Sequence, residues 1–216
     1  MKEAEVSTPK RGYDSSGRQA QARATRARIR EAAAELFVTQ GYAGTSIAAI
    51  ARAAGVAPQT VYGAFGAKSM ILKEAIEVTL AGGDEPIPVF DRDDAQRAVR
   101  ATTAGEAADA LARQCRRIFE RTADLLHAGD IAALDEPEIA AMAKGGAEGR
   151  LQDMRRTIDE LAAKGFLREG VTPDHAGDVV WALSSPSVYR SCIHDRGWTP
   201  DRYERWLRDA LELVIG

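Results

Sequence analysis

The chain has 216 residues, 45% of them hydrophobic and 28% charged, with a formal net charge of −3. That length suits one small and one medium domain with a real core, and the composition is that of an ordinary globular protein. No run is long and apolar enough to span a bilayer and the N-terminus has no apolar signal core, so a cytoplasmic protein with no membrane partner is expected.

The net charge hides an asymmetry. Residues 1–80 hold 11 Lys or Arg against 7 Asp or Glu, whereas residues 81–216 hold 18 against 25. A basic end on an otherwise acidic chain is the electrostatic footprint of phosphate contact. Cys115 and Cys192 have no metal-like spacing and read as reduced core thiols.

Residues 1–20 mix Lys, Pro, Gly and Ser with few apolar side chains and read as a flexible basic arm. A first helix is expected from Ala22 to Thr39, burying Ile29, Ala33, Leu36 and Phe37 at i, i+4, i+7 and i+8, with Gly41 ending it. Residues 45–68, TSIAAIARAAGVAPQTVYGAFGAK, read as two short helices joined by a turn. Thr45 or Ser46 caps the first of these, whose apolar face is Ile47, Ile50, Ala51 and Ala54. Gly55 follows, where a left-handed backbone is cheap only for glycine, and Val56 is an apolar plug. The second starts near Ala57 with Pro58 in its first turn. Two helices crossing steeply through such a turn are the layout that sets a helix into the DNA major groove.

A fourth helix is expected over 67–80, broken by Gly82 to Pro88, with Ile87, Val89 and Phe90 apolar enough to pack back. The remainder has no strand-like alternation. Its helical stretches are 93–101, 104–128, 137–164, 173–195 and 200–215, with turns at Gly105, Gly129-Asp130, Asp135 to Pro137, Gly165, Gly170, Thr172-Pro173 and Gly197 to Pro200. Pro186 should kink the 173–195 helix. In the last helix Tyr203, Trp206, Leu207, Ala210, Leu211 and Val214 form one apolar stripe with no later segment to cover it.

Residues 24–45, ATRARIREAAAELFVTQGYAGT, and 61–77, VYGAFGAKSMILKEAIE, flank the helix pair in one unbroken register. Together they resemble the N-terminal part of the TetR family of transcriptional regulators, with landmarks at Ile29, Ala33, Leu36, Phe37, Gly41, Tyr42, Thr45, Ile50, Ala51, Gly55, Val56, Tyr62, Phe65, Lys68 and Leu72. Gly63, Ala64 and Gly66-Ala67 depart from bulkier or more polar residues common in that family, which bears on base preference rather than docking mode.

The resemblance implies an all-α fold: an N-terminal three-helix helix-turn-helix DNA-binding domain (21–66) and a C-terminal helical ligand-binding and dimerisation domain (67–216). It and groove geometry together nominate the DNA contacts. Gln59 is the expected base reader, since its amide pairs bidentately with adenine, with Thr60 and Pro58 beside it. Ala57 and Gly63 complete that face. Tyr62 and Lys68 match phosphate-holding positions of the family, Thr45 and Ser46 lie at a helix N-terminus suited to phosphate, and Arg23 and Arg26 supply positive charge. Val61 and Phe65 read as core.

No glycine-rich phosphate loop, nucleophile elbow or metal-spaced His/Cys cluster occurs, so no enzyme activity, cofactor or metal is expected. The second half resembles the family's sensor region. Phe119, His127, Met142, Met154 and Trp181 are its candidate ligand contacts, and Leu183, Tyr189, Tyr203, Trp206, Leu207 and Leu211 its candidate dimer face. The expected partners are double-stranded operator DNA, a second copy of the chain and a small-molecule effector. The reading is a dimeric repressor on palindromic operator DNA, released by that effector. Its alternatives are an activator or ligand-independent regulator of the same fold, or a helical ligand carrier or enzyme that retained a helix-turn-helix. The basic Arg23–Arg30 segment with Tyr62 and Lys68 argues against the last.

Overall fold

The computed structural model describes residues 15–82 and 93–216. Among them the architecture is all-α, with one isolated antiparallel bridge between Leu167 and Ile215. Most of the basic arm and the apolar trio Ile87, Val89 and Phe90 lie outside the described residues.

Helix α1 (Ser15–Gly44) begins at Ser15 rather than Ala22. Residues 15–20, expected as arm, are therefore helical: Arg, Gln and Ala are good helix formers and extend an exposed first turn at little cost. Ile29, Ala33 and Phe37 on this helix are fully buried. Gly41, at φ 73° and ψ 164°, breaks its path and turns the chain toward α2. Then come α2 (Ile47–Ala53), α3 (Pro58–Phe65) and α4 (Lys68–Ala81).

The second half comprises α5 (Asp93–Arg100), α6 (Ala104–Ala132), α7 (Pro137–Ala163), α8 (Pro173–Leu183), α9 (Pro186–Arg190), a π-helical turn (Ser191–Asp195) and α10 (Pro200–Leu211). The Thr-Pro pairs start helices as expected, Thr172 and Thr199 each accepting an amide hydrogen of the first turn.

Three expectations are corrected. Gly129-Asp130 is not a turn, since α6 runs through it to Ala132. Gly129 is instead a point of close approach, where an added Cβ would lie 3.3 Å from Ile76 Cδ1 of α4. Pro186 breaks the 173–195 segment outright: it disfavours a helical backbone at Ser185, which sits at φ −99° and ψ 150° and caps α9 instead. Finally, α10 stops at Leu211, and the chain end lies back on residues 166–168 through Arg168 N–H to Val214 O and Gly216 N–H to Phe166 O, both 3.1 Å. Val214, expected as an uncovered interface residue, is thus buried within its own chain.

Two cores result. The first joins α1–α4 to the end of α6 (Leu125, Ala128, Ala132) and the start of α7 (Ile139). The second is built from the rest of α6 with α5, α7, α8, α9 and α10, around Leu111, Phe119, Ile158, Leu161, Tyr203 and Leu207. Helix α4, assigned by sequence to the second domain, contributes Ile71, Leu72, Ala75 and Ile76 to the first core. Helices α6 and α7 both enter the two cores, α6 with the larger share of each.

Candidate nucleic-acid interface

The turn between α2 and α3 is set by Gly55 at φ 66°, a left-handed value that an L side chain adopts only under strain. Val56 N–H closes it on Ala51 O at 2.9 Å. Ser46 caps α2, its hydroxyl accepting from Ala49 N–H at 3.1 Å. On α3, Val61 and Phe65 turn inward and are buried, as expected of core residues. Ala57, Pro58, Gln59, Thr60, Tyr62 and Gly63 are all exposed and share the outer side, with Tyr62 56% accessible. A Cβ built on Gly63 meets nothing within 4 Å, so this part of the face is flat because the sequence makes it so.

Other nominated residues hold α3 in place instead of reaching outward. Arg26 Nε lies 3.0 Å and 2.8 Å from the two carboxylate oxygens of Glu74 on α4. One of its Nη groups also pairs with Glu74, the other donates to the Ala64 carbonyl, and its guanidinium lies 4.1 Å over the Phe65 ring. Arg30 approaches the same carboxylate at 3.5 Å. Arg26 is therefore a tie between α1, α3 and α4 in this structure.

Lys68 is engaged within the chain in the same way. Its Nζ donates to the carbonyls of Tyr42 (2.8 Å) and Thr45 (3.0 Å) and sits 3.9 Å over the Tyr42 ring. Desolvation lowers its pKa, and burial, helped by Glu136 and Glu138, pushes Tyr42 up to about 12. Thr45 is buried, its hydroxyl 2.8 Å from Gly41 O and 3.1 Å from Leu36 O, so it neither caps α2 nor reaches phosphate. Ser46 takes the cap and stays exposed, and Arg23 is exposed on α1. Glu74 was missed by the sequence reading, because a partner 48 positions away leaves no local signal.

The arrangement is thus a short helix with an exposed polar outer face, pinned from behind by bonded charges. Residues 29–75 match the tetR family of bacterial regulatory proteins. This chain carries a TetR-family DNA-binding domain. No curated protein matches the chain in sequence. Solved structures share its fold. A protein of Mesorhizobium loti MAFF303099 assigned to the TetR family superposes with a TM-score of 0.69 at 22% identity, over 89% of this chain and 96% of its own. A transcriptional regulator of Saccharomonospora viridis in complex with choline gives 0.70 at 21%, over 90% and 99%. The regulator FadR of Bacillus subtilis in complex with stearoyl-CoA gives 0.65 at 18%, over 86% and 96%. The shared fold extends over the second half.

The five candidate ligand contacts of the TetR-type second half are not brought together. Phe119 is buried with its ring 5.9 Å from Tyr189, Met154 packs on that same core, and Met142 packs on the other. Trp181 is half-buried beneath Arg150. His127 lines an open cleft between the end of α1 (Phe37, Val38) and Arg190 and His194. There Asp124 pairs with Arg190 and lies 2.9 Å from His194 Nε2.

The dimer candidates divide as well. Tyr189, Tyr203, Leu207 and Leu211 are buried in their own chain, where the ring of Tyr203 stands 4.8 Å from that of Tyr189, edge to face. Helical periodicity reports burial without saying which chain does the burying. Leu183 and Trp206 are partly exposed. Both cysteines are buried and unpaired, and burial pushes the Cys115 thiol up to about 11. No helix among the described residues is long and apolar enough to cross a membrane.

Proposed function

We propose that this protein is a cytoplasmic, homodimeric transcriptional repressor that binds palindromic operator DNA through the outer face of α3 and is released by a small-molecule effector. The observation that carries this reading is the division of labour on α3. Val61 and Phe65 are buried while Gln59, Thr60, Tyr62 and Gly63 are exposed on a helix that Arg26 holds by its C-terminal end. A rigidly held helix whose N-terminal half points outward is what base-edge readout requires. In this reading Gln59 reads a base, Thr60 and Pro58 lie beside it, and Tyr62, Ser46 and Arg23 contact phosphates.

The homodimer forms on the partly exposed flanks of α8 and α10, with Leu183 and Trp206 among its contacts. It holds two α3 helices about 34 Å apart, one turn of duplex. The effector binds in the second half, as the fold shared with choline- and stearoyl-CoA-bound proteins suggests. It acts by favouring a different splay of the two reader domains. Helix α6 transmits that change, because Leu111 and Phe119 lie in one core while Leu125 and Ala128 lie in the other.

Footprinting on the DNA upstream of the protein's own gene tests this reading. The expected result is protection of two inverted half-sites centred one helical turn, or a multiple of it, apart. Protection spread evenly along the fragment, or none, would overturn it.

A further inference from the structure

Helix α7 places a charge where its periodicity calls for an apolar residue. Met154, Ile158 and Leu161 pack on the second core, and Arg150 stands one turn before Met154 on the same stripe. Its Nη1 donates to the carbonyls of Trp181 (2.8 Å) and Ser184 (3.1 Å), and its guanidinium lies 4.5 Å from the centre of the Trp181 ring. The ion pairs found among the described residues include no carboxylate partner for Arg150. Capping the last carbonyls of α8 accounts for one of its nitrogens. It leaves Nε and Nη2 with no hydrogen-bond partner among the described residues.

Two further groups are orphaned. Trp181 Nε1 and Tyr203 Oη are buried and have no hydrogen-bond partner among the described residues. Tyr203 is wholly buried, and burial raises its pKa while the positive charge of Arg150 acts against that rise. Buried polar groups in folded proteins are bonded with few exceptions, and each orphan costs about 1–3 kcal/mol. An indole N–H and a guanidinium can only donate, and a phenol can. Arg150, beside the Trp181 ring, and the two orphaned groups are donors with no acidic side chain among the described residues to receive them.

We propose that Arg150, Trp181 and Tyr203 form the anion-recognising end of the effector site, and that the effector is a small organic carboxylate whose apolar remainder packs among the aromatic rings of this core. The inference rests on the reading of the second half as an effector domain and adds the chemical class of the ligand. A carboxylate supplies about four acceptor sites, takes an Arg fork bidentately, and satisfies the indole and phenol at once. A cationic effector would meet the Arg150 charge unshielded. A neutral one would leave that charge without a counterion.

The test uses the full chain and follows the Trp181 indole N–H in proton–nitrogen spectra, assigned by its loss in Trp181→Phe. Benzoate and octanoate are titrated against their neutral amides, benzamide and octanamide. The expected result is a saturable downfield shift of that one signal with a carboxylate and none with its amide. Arg150→Gln should weaken binding about tenfold or more, and Arg150→Lys should restore part of it. Should Arg150→Gln not fold, Tyr203→Phe answers the same question. It removes an unbonded hydroxyl, so it should fold at least as well as the parent and still lose carboxylate affinity severalfold. No shift with either carboxylate, equal response to acid and amide, or unchanged affinity in Tyr203→Phe would each overturn the proposal. Operator footprinting in the absence of any probe judges the regulator reading separately, since neither Arg150 nor Tyr203 lies in the reader core.

Discussion

The two cores threaded by α6 treat their polar groups in opposite ways. Around α1–α4 the charges are consumed: Arg26 by Glu74 and the Ala64 carbonyl, Lys68 by two carbonyls, the Thr45 hydroxyl by Gly41. Around α7–α10 the Arg150 charge has only carbonyl partners, and Tyr203 Oη and Trp181 Nε1 have none. A fully bonded polar network fixes one geometry, which suits a helix that must present Gln59 and Tyr62 at a constant angle. An incompletely bonded one is stabilised by whatever completes it, which suits a sensor.

The comparison can be broken first through the second core. Leu207 is fully buried in the second core, so Leu207→Ala should cost about 2–5 kcal/mol in urea unfolding. Because α6 enters both cores, the two halves should unfold in a single transition. A first core that survives separately, followed through Phe37 or Tyr42, would mean that α6 does not join them. Leu211, equally buried, should give unfolded chain as Leu211→Asp, not a folded monomer.

Next is the tie behind α3. Glu74→Ala leaves the Arg26 guanidinium without its carboxylate and should cost about 2 kcal/mol of stability, less if solvent reaches the half-exposed Arg26. DNA affinity should fall alike on all sequences, since α3 loses its brace and not its contacts. A sequence-selective loss would place Arg26 or Glu74 in the interface itself.

A smaller effect is expected at the cap. Ser46→Ala removes the acceptor for Ala49 N–H and should cost about 1 kcal/mol. Thermal unfolding measures it, and no change would show that water replaces the hydroxyl. Smallest is Gly63→Ala, which has open space around the new methyl and should shift stability by about 0.5 kcal/mol or less while altering base preference. A loss of several kcal/mol would mean that α3 is packed on its outer side.

The first core was legible because its information is local. The i, i+4, i+8 stripe of Ile29, Ala33 and Phe37, the glycine at 55 and the proline at 58 each report their own neighbourhood, and each lies where expected. The charges were not legible, because an arginine reads the same whether it meets phosphate or a glutamate 48 positions away. The dimer candidates divided for a related reason. Tyr203, Leu207 and Leu211 fall on one stripe, but only the fold shows that α6, α8 and α9 of their own chain share their core. Arg150 did leave a signal: a charge in register with Met154, Ile158 and Leu161 interrupts an otherwise apolar stripe.

The claim that the outer face of α3 reads DNA is tested most directly at Gln59. Fluorescence anisotropy with the footprinted operator, its single-base variants and random duplex of equal length compares the parent with Gln59→Ala. The account predicts a loss of about 1–3 kcal/mol on the operator, relaxed preference at one base position, and little change on random DNA. Equal losses on operator and random DNA, or an unchanged base preference, would contradict it.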